Sequence, residues 1–236
     1  MFCRAAALVV LITTATCGQT IVSNNFNQWL IYQGTHAFRP KWDLQVETHF
    51  RRHELINGWQ QILLRSGFQR NLPKRFSVYF GYTFFRAYPW GDYKIPAITN
   101  ENRLHQQVGY RHQWGRSDWN HRLRFEERWI WDRGQVRYQH RLRQFTKITV
   151  PFARKSPWYW GVSNEIWFNV PPNVVPYALD QNRTVATIGK RVSERNRIEF
   201  GYMYQPRWQR NGVVLESNHT LVMYILSNAR LRNFRE

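Results

Sequence analysis

Residues 119–150, from Trp119 to Val150, read WNHRLRFEERWIWDRGQVRYQHRLRQFTKITV, and this stretch decides the fold. It divides at Arg133-Gly134, a pair suited to a tight turn, into two long runs with a period of two. In the first, Asn120, Arg122, Arg124, Glu126 and Arg128 alternate with Leu123, Phe125, Trp129 and Trp131. In the second, Arg137, Gln139, Arg141 and Arg143 alternate with Val136, Tyr138, Leu142, Ile148 and Val150. Side chains alternate faces along a strand, so the hairpin has one cationic wall and one aromatic and aliphatic wall. A two-residue turn pairs Asp132 with Gln135. That sets Glu126 opposite Arg141, Arg124 opposite Arg143, and Glu127 opposite His140 on the other wall. Such alternation suits a soluble sheet with its arginines in water. It equally suits a membrane barrel with aromatics against lipid and arginines in the lumen.

The flanking sequence favours the barrel. Strand-like segments recur at about 28–38, 42–52, 59–70, 76–88, 103–114, 158–170, 182–192, 197–208 and 213–226, and no stretch past residue 18 keeps a helical spacing. The second is the cleanest, with Trp42, Leu44, Val46 and Phe50 against Asp43, Gln45, Glu47, His49 and Arg51. Most are longer than the roughly 5–6 residues usual in soluble sheets and suit strands tilted across a bilayer. The connections 89–102 and 171–181 are long. Those at 71–75, 115–118 and 153–157 are short, which predicts an extracellular and a periplasmic rim respectively. Gly81, Gly109, Gly161 and Gly201 fall on polar faces, where a crowded lumen needs room. The expected fold is an all-β, antiparallel up-and-down transmembrane β-barrel of 10–12 strands. Single-chain bacterial barrels have even strand numbers. Twelve is therefore preferred, with Ile21–Asn27 as the extra strand.

Composition agrees. The chain of 236 residues is 17% aromatic, with 12 Trp and 12 Tyr, yet its mean hydropathy is −0.61. Beyond the N-terminus no apolar run approaches the roughly 20 residues of a spanning helix. The formal charge of +19 first suggests nucleic acid. The arginines, however, recur on the polar face of several strands instead of forming one patch, so nucleic acid is not expected as a partner. Residues 1–18 have the form of a signal peptide: Arg4, an apolar core from Ala5 to Ile12, then small residues to Gly18. Residues 19–236 form the barrel domain. Acylation of Cys17 is the competing reading, although Thr14 stands where a lipoprotein signal has Leu. Either way the mature chain holds at most one cysteine, and closure of a barrel takes the place of disulfides.

Three patterns resemble the domain of unknown function 2490 family: Trp29-x-x-Tyr32-x-Gly34-x-His36, Trp42-x-Leu44-x-x-Glu47-x-x-x-Arg51-Arg52, and Asn120-His121-Arg122-Leu123-Arg124-x-Glu126-x-Arg128. The resemblance spans nearly the whole mature chain and implies an exported barrel in the bacterial outer membrane with no assigned activity. The C-terminus departs from a terminal aromatic, since Phe234 is followed by Arg235-Glu236.

The chemistry rests on the charged wall. Arg122, Arg124, Arg128, Arg137, Arg141 and Arg143, with Arg51, Arg103, Arg111 and Arg197 on other strands, line a lumen that would select small anions or acidic oligosaccharides. Glu47, Glu126, Glu165 and Glu199 supply the alternative, a structural barrel whose lumen is closed by ion pairs, since unpaired buried charge is costly. A minor alternative is an outer-leaflet lipid hydrolase built on Ser217-x-His219, whose spacing lets the two side chains touch on one strand face. No acidic orienter is recognisable beside them, so no enzyme is expected. No histidine spacing matches a metal site, and no cofactor is expected. Membrane lipid is the expected partner of the outer wall, with Trp129, Trp131, Trp158, Trp160 and Trp208 in interfacial girdles.

Overall fold

The computed structural model describes residues 20–171 and 177–231. The signal segment, Cys17 and the terminal Phe234-Arg235-Glu236 lie outside the described residues. Eleven strands follow one another: β1 (Ile21–Arg39), β2 (Trp42–His53), β3 (Gly58–Asn71), β4 (Phe76–Ala87), β5 (Thr99–Trp114), β6 (Ser117–Asp132), β7 (Gln135–Pro151), β8 (Trp158–Val170), β9 (Leu179–Arg191), β10 (Asn196–Trp208) and β11 (Val214–Ser227). Each pairs antiparallel with its sequence neighbour, and the ring closes where β1 lies parallel to β11 from Ile21↔Val214 to Gly34↔Ser227. The all-β up-and-down barrel is as expected. The even strand number is not.

Ile21–Asn27 does not form a separate strand. It continues β1 in one unbroken register against β11, which consumes the last free edge and leaves nowhere for a twelfth strand to pair. With an odd number of alternating strands, the first and last must run in the same direction. The two described ends therefore sit on opposite rims. Ser23 Oγ donates to Asp92 (3.4 Å) at one, and the Leu231 amide donates to the Ala37 carbonyl (3.0 Å) at the other.

The central hairpin has the expected register, with Glu126↔Arg141, Arg124↔Arg143, Glu127↔His140 and Asp132↔Gln135. Its turn is tight because both Arg133 (φ 49) and Gly134 (φ 78) take left-handed backbone, the arrangement that matches strand twist in two-residue hairpins. Two boundaries differ from expectation. β5 begins at Thr99 and β9 at Leu179, so the long connections shorten to 88–98 and 171–178. They share a rim with the β10–β11 connection. Gln209 Nε2 donates to the Tyr93 carbonyl (2.6 Å), and the Tyr177 hydroxyl donates to the Gly212 carbonyl (3.0 Å). We call this the loop rim and the opposite one, with connections 40–41, 72–75, 115–116, 152–157 and 192–195, the turn rim.

The outer wall exposes Phe68, Phe80, Leu123, Ile188, Phe200 and Leu221, a surface far too apolar for water. Near its edges Arg52 lies over Trp59 (4.4 Å), Arg70 over Trp42 (5.5 Å) and Lys190 over Trp158 (5.1 Å). One polar row crosses it, through His121, Thr146, Asn164 and Thr184 in consecutive register. These side chains partly satisfy one another, His121 with Thr146 (3.0 Å) and Asn164 with Thr184 (2.9 Å). Inside, space is tight. Gly67 faces Gly81, and a Cβ at Gly67 would fall 2.5 Å from the Gly81 Cα and 2.6 Å from the Tyr79 hydroxyl. The lumen is largely polar, with an apolar patch of Trp29, Ile31, Val185, Met203 and Val222 where β1, β9, β10 and β11 meet.

Candidate functional site

The site begins at Glu126 on β6, whose side chain is fully buried. Its register partner Arg141 reaches it at 2.7 Å and the diagonal neighbour Arg143 at 2.6 Å, while Arg124 stands 3.8 Å away. Arg143 also holds Glu165 on β8 (2.7 Å), which takes Arg122 as well (2.5 Å). The same motif repeats twice. Glu101 accepts from Arg103 (2.7 Å) and Arg128, and Glu47 accepts from Arg65 (2.7 Å) and contacts His49. A lone carboxylate or guanidinium would be costly to bury, and each of these glutamates draws at least two cationic or ionisable partners.

Arginines of the layer, those paired with carboxylates included, also stack on two inward indoles. Arg51 lies 3.7 Å from the Trp29 ring, and Arg143 and Arg141 lie 3.8 and 4.1 Å from that of Trp167. Arg183 spans the gap, 4.0 Å from Trp167 and 5.1 Å from Trp29, so cation–π contacts link β8, β9 and β1 across the lumen. Every strand contributes at least one inward side chain that is less than a tenth exposed, from Trp29 and Arg51 on β1 and β2 round to Gln205 and Thr220 on β10 and β11.

Towards the turn rim the lumen opens into a cavity of about 770 Å³. Trp29, Arg65, Arg143 and Arg183 close its inner end, while Arg75, Arg111, Asn228 and Arg230 stand nearer the mouth. Lys147 on β7 crosses to Glu199 on β10 (2.7 and 2.8 Å), and the Tyr159 hydroxyl donates to the same carboxylate (3.0 Å). Among the described residues, nine Lys and Arg side chains line the cavity against five Asp and Glu, an excess of four. Arg75, Arg111, Arg197 and Arg230 belong to that lining, and none of their side chains makes a hydrogen bond or ion pair with the described residues.

The residues singled out from sequence divide between these two regions. Arg51, Arg103, Arg124, Glu126, Arg128 and Arg141 belong to the closed layer. Glu47, Arg122, Arg143 and Glu165 sit between layer and cavity, and Arg111, Arg197 and Glu199 lie in the cavity. Arg137 joins neither, since it pairs with Asp132 (3.6 Å) at the loop rim. Sequence reasoning missed Arg65, Glu101, Lys147, Arg183, Trp29 and Trp167. Glu101 falls within the connection 89–102 expected from sequence, whereas β5 takes it into the wall. The two tryptophans share parity with polar neighbours, Gln33 and Glu165, and that parity was the available signal. On the outer face Ser217 Oγ and His219 Nε2 do meet (3.3 Å), but the other His219 nitrogen engages the Tyr202 hydroxyl (2.5 Å), and no carboxylate is bonded to the pair among the described residues.

A closed barrel with an apolar outside and a charged, ion-paired inside is porin-like in class. The chain belongs to the family described as protein of unknown function (DUF2490), whose model matches residues 26–216. The NanC porin in a rhombohedral crystal form is a solved structure similar to it, with a TM-score of 0.51 over 83% of this chain and 90% of that one at 9% identity. At that identity the likeness is one of fold alone. No curated protein sequence matches the chain.

Proposed function

We propose that this protein is a non-enzymatic outer-membrane barrel whose lumen is held shut at rest by its Arg–Glu layer, with the turn rim facing the periplasm. The observation that carries the reading is the burial of inward side chains on all eleven strands. An aqueous pathway would leave such side chains wet, and Arg–Glu pairs reach across between neighbouring strands where a hydrated track would have to run. Exposed aromatics at both edges of the wall and the fold likeness to a porin support placement in an outer membrane. The reading predicts that refolded protein in planar bilayers inserts without steady conductance at low voltage. A stable open current from the wild type would overturn it.

A second reading has one observation in its favour, the cationic excess of the lumen. Were the layer to part, current would be carried by anions, because guanidiniums stay charged at any working pH. Replacing Arg124 and Arg141 together with Glu would then reverse or abolish the selectivity read from the reversal potential in a salt gradient. Unchanged anion selectivity in that double variant would remove this second reading.

A further inference from the structure

Within the closed-lumen reading, on which this inference rests, the cavity at the turn rim is a blind chamber. We propose that it is a binding site for a small organic polyanion, bearing carboxylate or phosphate groups, held chiefly by Arg111 and Arg197. The first support is the pairing of lumen charges. In the layer, arginines find glutamates or indoles. In the cavity, Arg75, Arg111, Arg197 and Arg230 find neither, although Arg111 and Arg197 come from strands on opposite sides of the ring, β5 and β10. Like charges confined in a space with protein walls raise the local potential and concentrate counter-ions of the opposite sign. A multivalent ligand gains most from such a field.

The second support is the chemistry of the cationic group. The guanidinium fork matches carboxylate and phosphate oxygens in pairs, so the chemistry favours these over halide. Shape is the third support. At about 770 Å³ the cavity lies in the range of roughly 300–1,000 Å³ usual for small-molecule sites. Ile31, Val185 and Met203 face the cationic wall and offer a carbon skeleton an apolar surface. Asp43 and Asp118 near the mouth offset part of the field, and Asp43 acts on Arg111 itself, but the nine Lys and Arg side chains of the described lining still exceed its five Asp and Glu by four.

The test is calorimetric titration of the folded barrel in non-ionic detergent at low salt, with citrate and with pyrophosphate as separate probes. We expect saturable one-to-one binding of at least one probe, weakened by added salt. The preferred probe distinguishes a carboxylate ligand from a phosphate ligand. Arg111→Gln with Arg197→Gln should lower affinity at least tenfold. Arg111→Lys with Arg197→Lys, which keeps the charge and loses the fork, should give a smaller loss and decides the matter if the Gln pair folds poorly. Lys94→Gln at the loop rim should bind as wild type. Absence of saturable binding for both probes overturns the proposal, as does binding indifferent to the Arg111 and Arg197 replacements. Conductance would not appear in this measurement, so an open pore would sink the closed-lumen reading while leaving the binding result to be judged by itself.

Discussion

Arg124 and Arg111 sit on neighbouring strands, β6 and β5, and both point into the barrel, yet their surroundings have little in common. Arg124 is 2% exposed, donates twice to Gln107 and stands beside Glu126. Arg111 is exposed within the cavity and bonds to nothing described. The difference teaches that facing inward does not set an arginine's role. What sets it is whether an acid or an indole comes within bonding reach of the guanidinium. Where one does, the guanidinium becomes part of a dry cross-brace; where none does, it remains a free charge in water.

The largest expected effect comes from breaking the brace. Glu126→Gln leaves Arg141, Arg143 and Arg124 without their shared acid, and loss of one partner of a buried pair costs on the order of 3–5 kcal/mol. Urea unfolding in lipid micelles should register that loss. A change below about 1 kcal/mol would erase the distinction between layer and cavity. A middle-sized effect probes packing alone. Gly67→Ala places a methyl against the Gly81 backbone and the Tyr79 side chain, and overpacking of this kind typically costs about 1–3 kcal/mol in the same assay. The smallest effect lies in the cavity. Arg111→Gln with Arg197→Gln breaks no described bond, so stability should stay within about 0.5 kcal/mol of wild type. A loss as large as that of Glu126→Gln would mean that these arginines also brace the barrel.

Much of the barrel was legible because a strand writes its two faces into every second residue. The hairpin register followed from a two-residue turn, and Arg133-Gly134 adopts the backbone that such a turn demands. Strand parity was not legible. The even-number rule describes bacterial barrels as a group, whereas closure here depends on whether Ile21–Asn27 pairs as part of β1, which is a matter of three-dimensional register. The candidate site was half legible for a related reason. Alternation reports which way a side chain points, but strand stagger decides what it meets across the lumen. Lys147 finds Glu199 at a separation of 52 residues, and Arg183 finds Trp29 and Trp167 on different strands. Neither contact has a local signature. Aromatics inside the lumen also run against the reading of tryptophan as a lipid-facing residue.

One-sided labelling tests the central claim, a lumen shut in its middle and open only at the turn rim. Without residues 1–18 the chain contains no cysteine, so single replacements report cleanly. Ser163→Cys lies on the cavity wall, Arg116→Cys marks the turn rim, Lys94→Cys marks the loop rim, and Thr83→Cys sits in the layer, where Thr83 is fully buried. In oriented proteoliposomes, a charged and membrane-impermeant thiol reagent should modify Ser163→Cys only from the side on which it modifies Arg116→Cys. It should leave Thr83→Cys untouched from either side. Modification of Ser163→Cys from the Lys94→Cys side as well would mean that water and ions pass the Arg–Glu layer, and would contradict the account.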